Sequence, residues 1–575
     1  EKFLYSDAGF IVLGEIVRRV SGSDVAAFAK REIWDPLGMS ETMFLPTFEL
    51  KKRAAPTEQR DGAFMIGDVH DPRAYALGGV AGHAGLFSTA ADLSRFARAM
   101  LGRGELDGHR IFSRATADLF FTKSPSSLGG RTLGWDAESI YAKNRAKSFS
   151  PHAFGHGGFT GTALWIDPDR DLFVLFLSNR VHPDGKGAVN PLVADLGDLA
   201  VAATDTATGL DVLREDHFKE LAGARVGLVT NTSARGRDGK TAIDAFEEAT
   251  EVKLTALFSP EHGISADRDA LVADSKYGDV PIYSLYGDRF APSPEVLHGL
   301  DAIVFDLQDA GVRFYTYAST MRRAMKVASD AGLRFVVLDR PNPLDGVDVQ
   351  GPIFSGKTSF VNNGALPVRH GMTMGELARL FAAEDGTGTK LEIVKMKNWR
   401  RDAYYDATGL QWTSPSPNLR SITSVVLYPA LGLVEGTNVS VGRGTEAPFE
   451  RLGAPWIDGG ALSRALASAN LPGVAFAEAT FAPESSIYKG EACHGVRVAV
   501  TDRAAFDPIR TGVAIAIALS TAYPTTWRLE KMEGLLGDAR TLDAIRTKRP
   551  LDEIVRSWEA GLAAFKTKRG GFLLY

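Results

Sequence analysis

The sequence predicts two fold classes in one chain, an α+β region followed by an α/β region. Three observations predict this. The chain has 575 residues, more than one hydrophobic core usually holds, and length alone suggests about three or four domain-sized units. Between Val226 and Asp339, short apolar strands alternate with helical segments, the rhythm of a parallel sheet with crossover helices. Before Gly209 that rhythm is absent, and an amphipathic helix and an antiparallel hairpin stand in its place.

The elements follow in chain order. Residues 8–34 read as helical. In residues 90–101, Leu93, Phe96, Ala97 and Met100 recur at helical spacing. Ala163–Asp167 and Leu172–Ser178 read as strands joined by a turn at Pro168–Arg170. Residues 183–208 turn Ala-, Asp- and Thr-rich, which predicts a closing helix and a linker, so a first domain spans 1–204. Strands are then expected at Val226–Thr230, Lys253–Phe258, Ala302–Asp306 and Phe335–Asp339, and helices near 241–250, 318–331 and 371–384. Thr373, with Glu376 three residues later, has the spacing of a helix cap. This pattern describes a Rossmann-like lobe over 209–385. From about residue 386 the signal is mixed: short strands at 391–396, 424–428 and 496–501, long loops, and a final helix at 551–565. A smaller α+β lobe over 386–575 is expected.

Composition narrows the function. The net charge of −5 favours neither nucleic acid nor an anionic membrane. Cys493 is the sole cysteine, so no intrachain disulfide forms. No apolar run reaches transmembrane length. No GxGxxG follows a strand and no Walker A string occurs, so nucleotide binding is not expected, nor is any other cofactor. The chain opens on Glu1-Lys2-Phe3 without Met and enters a helical pattern at once, so a missing N-terminal part is expected, and a signal peptide cannot be read from it.

Two groups of residues carry chemistry. In the second module, Glu261 follows the apolar run Leu254–Phe258 and a Ser-Pro break, beside His262 and Gly263. A carboxyl at the end of a buried strand suits a general acid; capping the next helix or pairing with an arginine is the competing role. His262 is a neighbour that can bond Glu261 or a substrate. The run from Val304 to Tyr317 ends another strand in Asp306, Gln308, Asp309, Arg313 and Tyr315. Arg313 either takes a substrate carboxylate or pairs with Asp309. Arg340 and Asn342 end the next strand in the same fashion, and Asn418, Glu435, Asn438 and Arg443 lie in later Gly/Pro-pinned loops. In the first module, Tyr5, Asp7 and His156 make the supporting half of a serine acyl-transfer site, with Tyr5 as base, Asp7 orienting it and His156 on an edge strand. His152 and His156 lack a clear third ligand, so no metal site is expected.

Residues 1–208 resemble the class C β-lactamase and penicillin-binding-protein-like serine hydrolases. The likeness rests on YSDAGFIVLGEIVRRVSG, GGVAGHAGLFSTAADLSRFARAML and HGGFTGTALWIDPDRDLFVLFLSN, with His156 where that family has Lys. The His variant looks like the esterase and peptidase-like branch. The family's nucleophile lies in Ser-x-x-Lys, and no serine in 1–208 has Lys three residues on. Acyl-enzyme chemistry is therefore not expected from this stretch alone.

Residues 209–575 resemble the exo-β-N-acetylmuramidase (NamZ-type) glycoside hydrolases through LFSPEHG, FDLQDAGVRFYTYAST, VVLDRPNPLDG, PSPNL and EGTNVSVGRGTEAPFE, in that order. The resemblance implies release of N-acetylmuramic acid from non-reducing ends of peptidoglycan fragments, with Glu261 matching the catalytic acid. It implies muramic saccharides as partners and an extracytoplasmic location. Arg313, Arg340 or Arg443 would suit the lactyl carboxylate. Asp309 is the first choice for a second carboxyl, with Asp306, Glu435 and Glu446 as alternatives. One departure is local: Ser265–Asp269 reads SADRD where a Gly-rich turn is expected.

Overall fold

The computed structural model describes residues 4–124, 130–269 and 271–575. The chain divides into two compact units, Glu1–Thr204 and Asp205–Tyr575.

In the first unit, α1 (Asp7–Ser21) starts where the Ser6 hydroxyl accepts the Gly9 amide and stops at Gly22, which is left-handed at φ 74°. The single helix expected over 8–34 is therefore broken: Asp24 caps a new start for α2 (Val25–Ala29). Further on, α3 (Ala90–Leu101) lays Ala97 and Met100 on Phe154, Leu164 and Ile166. Those three come from an antiparallel sheet of β1 (Phe154–Gly157), β2 (Ala163–Asp167) and β3 (Leu172–Phe176), with Phe154 opposite Ile166 and Ala163 opposite Phe176. The hairpin at Pro168–Arg170 forms as expected, and α4 (Asn190–Thr204) closes the unit.

The second unit opens on α5 (Gly209–Glu215), capped reciprocally by Thr208 and Asp211. A seven-stranded sheet follows. Its members are β4 (Arg225–Thr230), β5 (Lys253–Ser259), β6 (Ser275–Tyr277), β7 (Val280–Ser284), β8 (Ala302–Asp306), β9 (Arg334–Leu338) and β10 (Lys390–Val394). The order is β6-β7-β5-β4-β8-β9-β10, parallel throughout except for β6 against β7. Parallel strands need cover on both faces, which is why β4, β8 and β9 are apolar almost end to end. Helices α6 (Ala242–Glu248), α7 (Tyr317–Asp330) and α8 (Met374–Asp385) follow β4, β8 and β9. The cap expected at Thr373 is present, with the Glu376 amide on its hydroxyl and the Thr373 amide on the Glu376 carboxylate.

The topology locates a crevice. The chain builds outward from β4 through β5 and β7, then returns to the other side of β4 with β8, β9 and β10. At that reversal the carboxyl ends of β5, β4 and β8 lie side by side, the place where open α/β sheets bind ligands.

The strand expected at 424–428 is instead part of a helix, α9 (Ile422–Glu435). The Ser421 hydroxyl accepts the Ser424 amide and starts it, and Val425, Val426, Leu427 and Tyr428 are all buried. A short apolar run buried on every side carries no periodicity, so strand and helix read alike. The run beyond α9 forms an antiparallel sheet of β11 (Arg451–Ala454), β12 (Val474–Phe481) and β13 (Cys493–Val500), ordered β11-β13-β12. The final helix is split at Ser557–Trp558, where the buried Trp558 indole donates to Thr541 Oγ1. No helix among the described residues is long and apolar enough to cross a membrane.

Candidate active site

Glu261 leaves β5 after the Ser259-Pro260 break, in a turn that continues through left-handed His262 (φ 72°) and Gly263 (φ 75°). A non-glycine residue in this region is uncommon, and such strain gathers at functional sites. At Gly263 the positive φ favours glycine, and a Cβ there would also sit tight against the Val272 side chain.

The Glu261 carboxyl is half-buried and held by hydroxyls. Thr316 Oγ1 donates to Glu261 Oε2 at 2.6 Å. Thr316 occupies the N-cap of α7 but makes no cap bond with its side chain; the hydroxyl serves Glu261 instead. The Tyr286 phenol, pushed up to about 12 by burial and then by the Glu261 carboxylate, is its second neighbour. Below it, the Tyr317 hydroxyl accepts from Asn231 Nδ2 (2.8 Å) and donates to the Pro415 carbonyl (2.5 Å). It also reaches the Glu261 carbonyl at 3.5 Å. Asn231 lies just beyond β4, Tyr317 opens α7 and Pro415 comes from the later loop, so elements far apart in sequence meet at Glu261. No arginine pairs with this carboxyl among the described residues, so the competing ion-pair role is not realised.

Tyr428 gathers the rest. Its hydroxyl is raised well above its ordinary value, by burial first, then by Glu435, Glu261 and Asp309, with Arg443 pulling the other way. Four side chains from three separate motifs thus act on one ring. Tyr315 packs edge-on against Tyr317 and Tyr428, with ring centroids 4.8 and 6.1 Å apart.

Asp309 is buried; its Oδ2 accepts the Gly311 amide at 2.7 Å and its Oδ1 makes no hydrogen bond among the described residues. Burial pushes this carboxyl up to about 7, against the amides of Gly311 and Ala310. Gly311 is left-handed at φ 78°, and a Cβ there would run into Asn342 Oδ1.

On the other rim, Glu435 Oε1 takes Arg443 Nη1 at 2.6 Å, and Arg443 Nη2 reaches Asp269 Oδ2 at 2.8 Å. Asn418 Nδ2 donates to the same Asp269 oxygen at 2.8 Å. His262 Nδ1 faces the Arg268 carbonyl at 2.9 Å and lies 3.6 Å from Asp269 Oδ1. Glu435 is raised by burial first, with Arg443 opposing and Asp269 and Glu261 adding to the rise.

Other residues singled out in the sequence are committed to the fold. Asp306 and Arg340 form a buried fork, with Nη2–Oδ2 at 2.9 Å and Nε on Oδ1, and Arg340 Nη1 donates to the Arg235 carbonyl. Arg313 does not pair with Asp309. It donates to the Pro352, Leu366, Leu535 and Leu536 carbonyls and to Asn362 Oδ1, which stitches distant loops together. Gln308 Nε2 donates to the Asp309 and Pro341 carbonyls. Asn342 bonds the Met372 carbonyl and the Leu344 amide, and Asn438 bonds the Thr526 carbonyl and the Arg528 amide. Of the three arginines weighed for a substrate carboxylate, only Arg443 stands beside Glu435 and the Glu261 rim. Glu446 is exposed and pairs with Arg451.

Sequence reasoning missed Thr316, Tyr286, Tyr317, Asn231, Tyr428 and Asp269. Thr316 and Tyr317 lay inside the strand-end run, Tyr428 in the run misread as a strand, and Asp269 in the departing SADRD segment.

The first unit has its own cleft of about 1730 Å³, lined by Tyr5, Asp7, His70, His83, Asn144 and His156 among others. Tyr5 and His156 lie with ring centroids 6.2 Å apart. His156 is on edge strand β1, with Nδ1 2.9 Å from the Gly157 carbonyl; burial lowers its pKa, with that carbonyl opposing. Burial and then Asp7 raise the Tyr5 phenol, while Arg131 opposes them. Asp7 does not hold Tyr5 by a hydrogen bond; its Oδ2 accepts from Arg73 Nη1 at 3.0 Å. His152 pairs with Asp169, and His83 with Asp71.

Family models match both units: "Exo-beta-N-acetylmuramidase NamZ, N-terminal" over residues 226–423, the C-terminal model of the same family over 426–575, and "Beta-lactamase" over 1–198. The peptidoglycan β-N-acetylmuramidase NamZ of Bacillus subtilis (strain 168) is 42% identical over 377 residues, which cover 64% of this chain and 91% of that protein. The chain belongs to the NamZ exo-β-N-acetylmuramidase family. Among solved structures, a DUF1343 family protein from Bacteroides fragilis NCTC 9343 shares the fold at a TM-score of 0.61 and 32% identity, covering 65% of this chain and 99% of that one. The NamZ-type unit here is preceded by a β-lactamase-like domain. An N-acetylmuramyl-L-alanine amidase of B. subtilis (strain 168) is 35% identical over 202 residues, which are 32% of this chain and 45% of that protein.

Proposed function

We propose that the NamZ-type unit is a glycoside hydrolase that releases N-acetylmuramic acid from the non-reducing ends of peptidoglycan fragments. Its parts would be a Rossmann-like catalytic lobe and a smaller C-terminal lobe; the boundary expected at 385/386 falls too early, because β10 (Lys390–Val394) pairs with β9 and completes the first lobe's sheet. The observation that carries the reading is Glu261, a half-buried acid at the topological crevice, gripped by Thr316 and Tyr286 and unpaired with any cation among the described residues. An acid so held can protonate a leaving glycosidic oxygen from a defined direction.

The substrate carries a 2-acetamido group, which can attack its own anomeric carbon when a carboxylate accepts its N–H. Asp309 is assigned that part, because one of its oxygens has no partner and it shares the field at Tyr428 with Glu261. Glu435 holds Arg443, and Arg443 supplies the cation for the lactyl carboxylate. His262 and Asn418 stand at the rim beside Asp269, and Tyr315 backs the pocket from beneath through Tyr317 and Tyr428.

The test is release of N-acetylmuramic acid from a chromogenic muramoside by the whole chain and by Glu261→Gln. Loss of turnover with an unchanged melting temperature is expected. Full activity in Glu261→Gln would remove Glu261 from the acid role.

The first unit, 1–204, is proposed as a serine-hydrolase-like domain of esterase or peptidase type, with the cleft at Tyr5 and His156 as its substrate site; these residues hold no Ser-x-x-Lys nucleophile, so by themselves they run no acyl-enzyme chemistry. Tethering would raise the effective concentration of cell-wall fragments around both units, and a peptidoglycan-derived substrate argues for an extracytoplasmic location.

A further inference from the structure

Asp269 stands where the substrate's own carboxylate should bind. This inference rests on the muramoside reading above. Asp269 Oδ2 collects two donors, Arg443 Nη2 and Asn418 Nδ2, each at 2.8 Å. Both partners come from loops read as substrate-facing, while Asp269 belongs to the segment that departs from the expected Gly-rich turn.

The guanidinium shows what is incomplete about the arrangement. Arg443 Nη1 is taken by Glu435 and Nη2 by Asp269, but Nε is buried with no partner among the described residues. Nε and Nη2 form one edge of the guanidinium fork, the edge that a carboxylate bridges with two parallel bonds. Asp269 uses half of that edge and leaves the other donor unsatisfied, which costs stability in a buried setting. A ligand carboxylate that took both donors would replace Asp269 at a net gain.

Charge supports the exchange. Glu435 and Asp269 flank Arg443, and Glu261 acts on Glu435, so an anionic sugar meets an acid-rich rim while Asp269 stays in place. The Asp269 side chain is 37% exposed, so water can receive it when it leaves.

We propose that Asp269 is an internal surrogate for the lactyl carboxylate, a specificity-determining residue that occupies the anion subsite until a sugar acid displaces it. The subsite then admits only ligands able to bridge the Nε–Nη2 edge of Arg443, and a neutral N-acetylglucosamine gains nothing from displacing Asp269.

Calorimetric binding of free N-acetylmuramic acid and of N-acetylglucosamine to the whole chain tests this without requiring turnover. Asp269→Ala should bind N-acetylmuramic acid about tenfold more tightly than wild type, the scale of one charge-assisted hydrogen bond. N-acetylglucosamine should bind equally well to both proteins. Asp269→Asn keeps the shape without the charge and should fall between. Weaker or unchanged N-acetylmuramic acid binding in Asp269→Ala overturns the proposal, as does an equal shift for both sugars. Wild-type protein that binds N-acetylmuramic acid in this pattern yet turns over no muramoside would leave the surrogate standing and remove the muramidase reading instead.

Discussion

Strand ends on either side of β4 in the second unit carry almost the same polar vocabulary and do opposite jobs. At the end of β5, Glu261 meets hydroxyls from Thr316 and Tyr286 and keeps its acid function uncommitted to any cation among the described residues. At the ends of β8 and β9, Asp306 and Arg340 close on each other in a buried fork. Asp339 is equally committed, accepting from Thr373, Gly375 and the C-terminal Tyr575. A cluster of charged residues at a strand end is thus not itself a site. What separates the two is satisfaction: a buried charge with every partner present holds the fold, whereas a polar group left with an open position can act on a ligand.

The largest effect that can break this comparison is on turnover. Glu261→Gln should lower kcat on a muramoside by about a thousandfold, the range of a lost general acid, with little change in melting temperature. Equal loss of stability would make Glu261 a structural residue like Asp306.

The converse test falls on the closed end. Arg340→Ala strands Asp306 as a buried, unpaired charge and should cost about 3–5 kcal/mol in urea unfolding. A stable Arg340→Ala protein with a raised KM for muramosides would instead transfer the substrate carboxylate to Arg340.

Asp309 lies between the two regions, and pH sharpens its place. Its carboxyl is pushed up to about 7 in the fold, against about 3.9 in an unfolded chain. The folded state therefore favours the neutral acid. That contribution is fully present below about pH 4 and is lost as pH rises through about 7. Asp309→Asn removes the loss, so the variant should gain stability relative to wild type between about pH 5 and about pH 8, with a ceiling of ~4 kcal/mol. A stability difference that does not change with pH would mean that Asp309 ionises freely and is not held in a dry pocket.

The smallest effect concerns the grip on Glu261. Thr316→Val keeps the shape and deletes the hydroxyl, which should reduce kcat about tenfold at a cost of about 1 kcal/mol in stability. Thr316→Ser should restore the rate. If Thr316→Val left kcat unchanged while stability fell, the hydroxyl would serve the start of α7 alone.

Much of this was legible in the chain. The strand ending at Asp306 was read to the residue and β4, β5 and β9 to within one, because buried parallel strands are short apolar runs with polar ends, whereas the edge strands β6 and β7 were not read. The cap at Thr373 was legible because its partner is three residues away. The helix α9 was not, since Val425–Tyr428 is apolar on every side and only tertiary burial tells a wrapped helix from a strand. Thr316 was not legible either, because a hydroxyl at a helix start is normally a cap, and only a carboxyl 55 residues away in sequence made it a clamp.

The sequence by itself determined the α+β and α/β order, the family of each unit and the placing of Glu261 after a buried strand, because these depend on local apolar runs and on motif order. Only the tertiary structure decided which charges were spent. Arg313, Arg340 and Arg443 look equivalent in a string of letters. One stitches backbone carbonyls, one neutralises Asp306, and one keeps a donor open beside Asp269. The reason is that a charge's role depends on the partners within a few ångströms, and for Arg313 those partners come from loops up to 223 residues away.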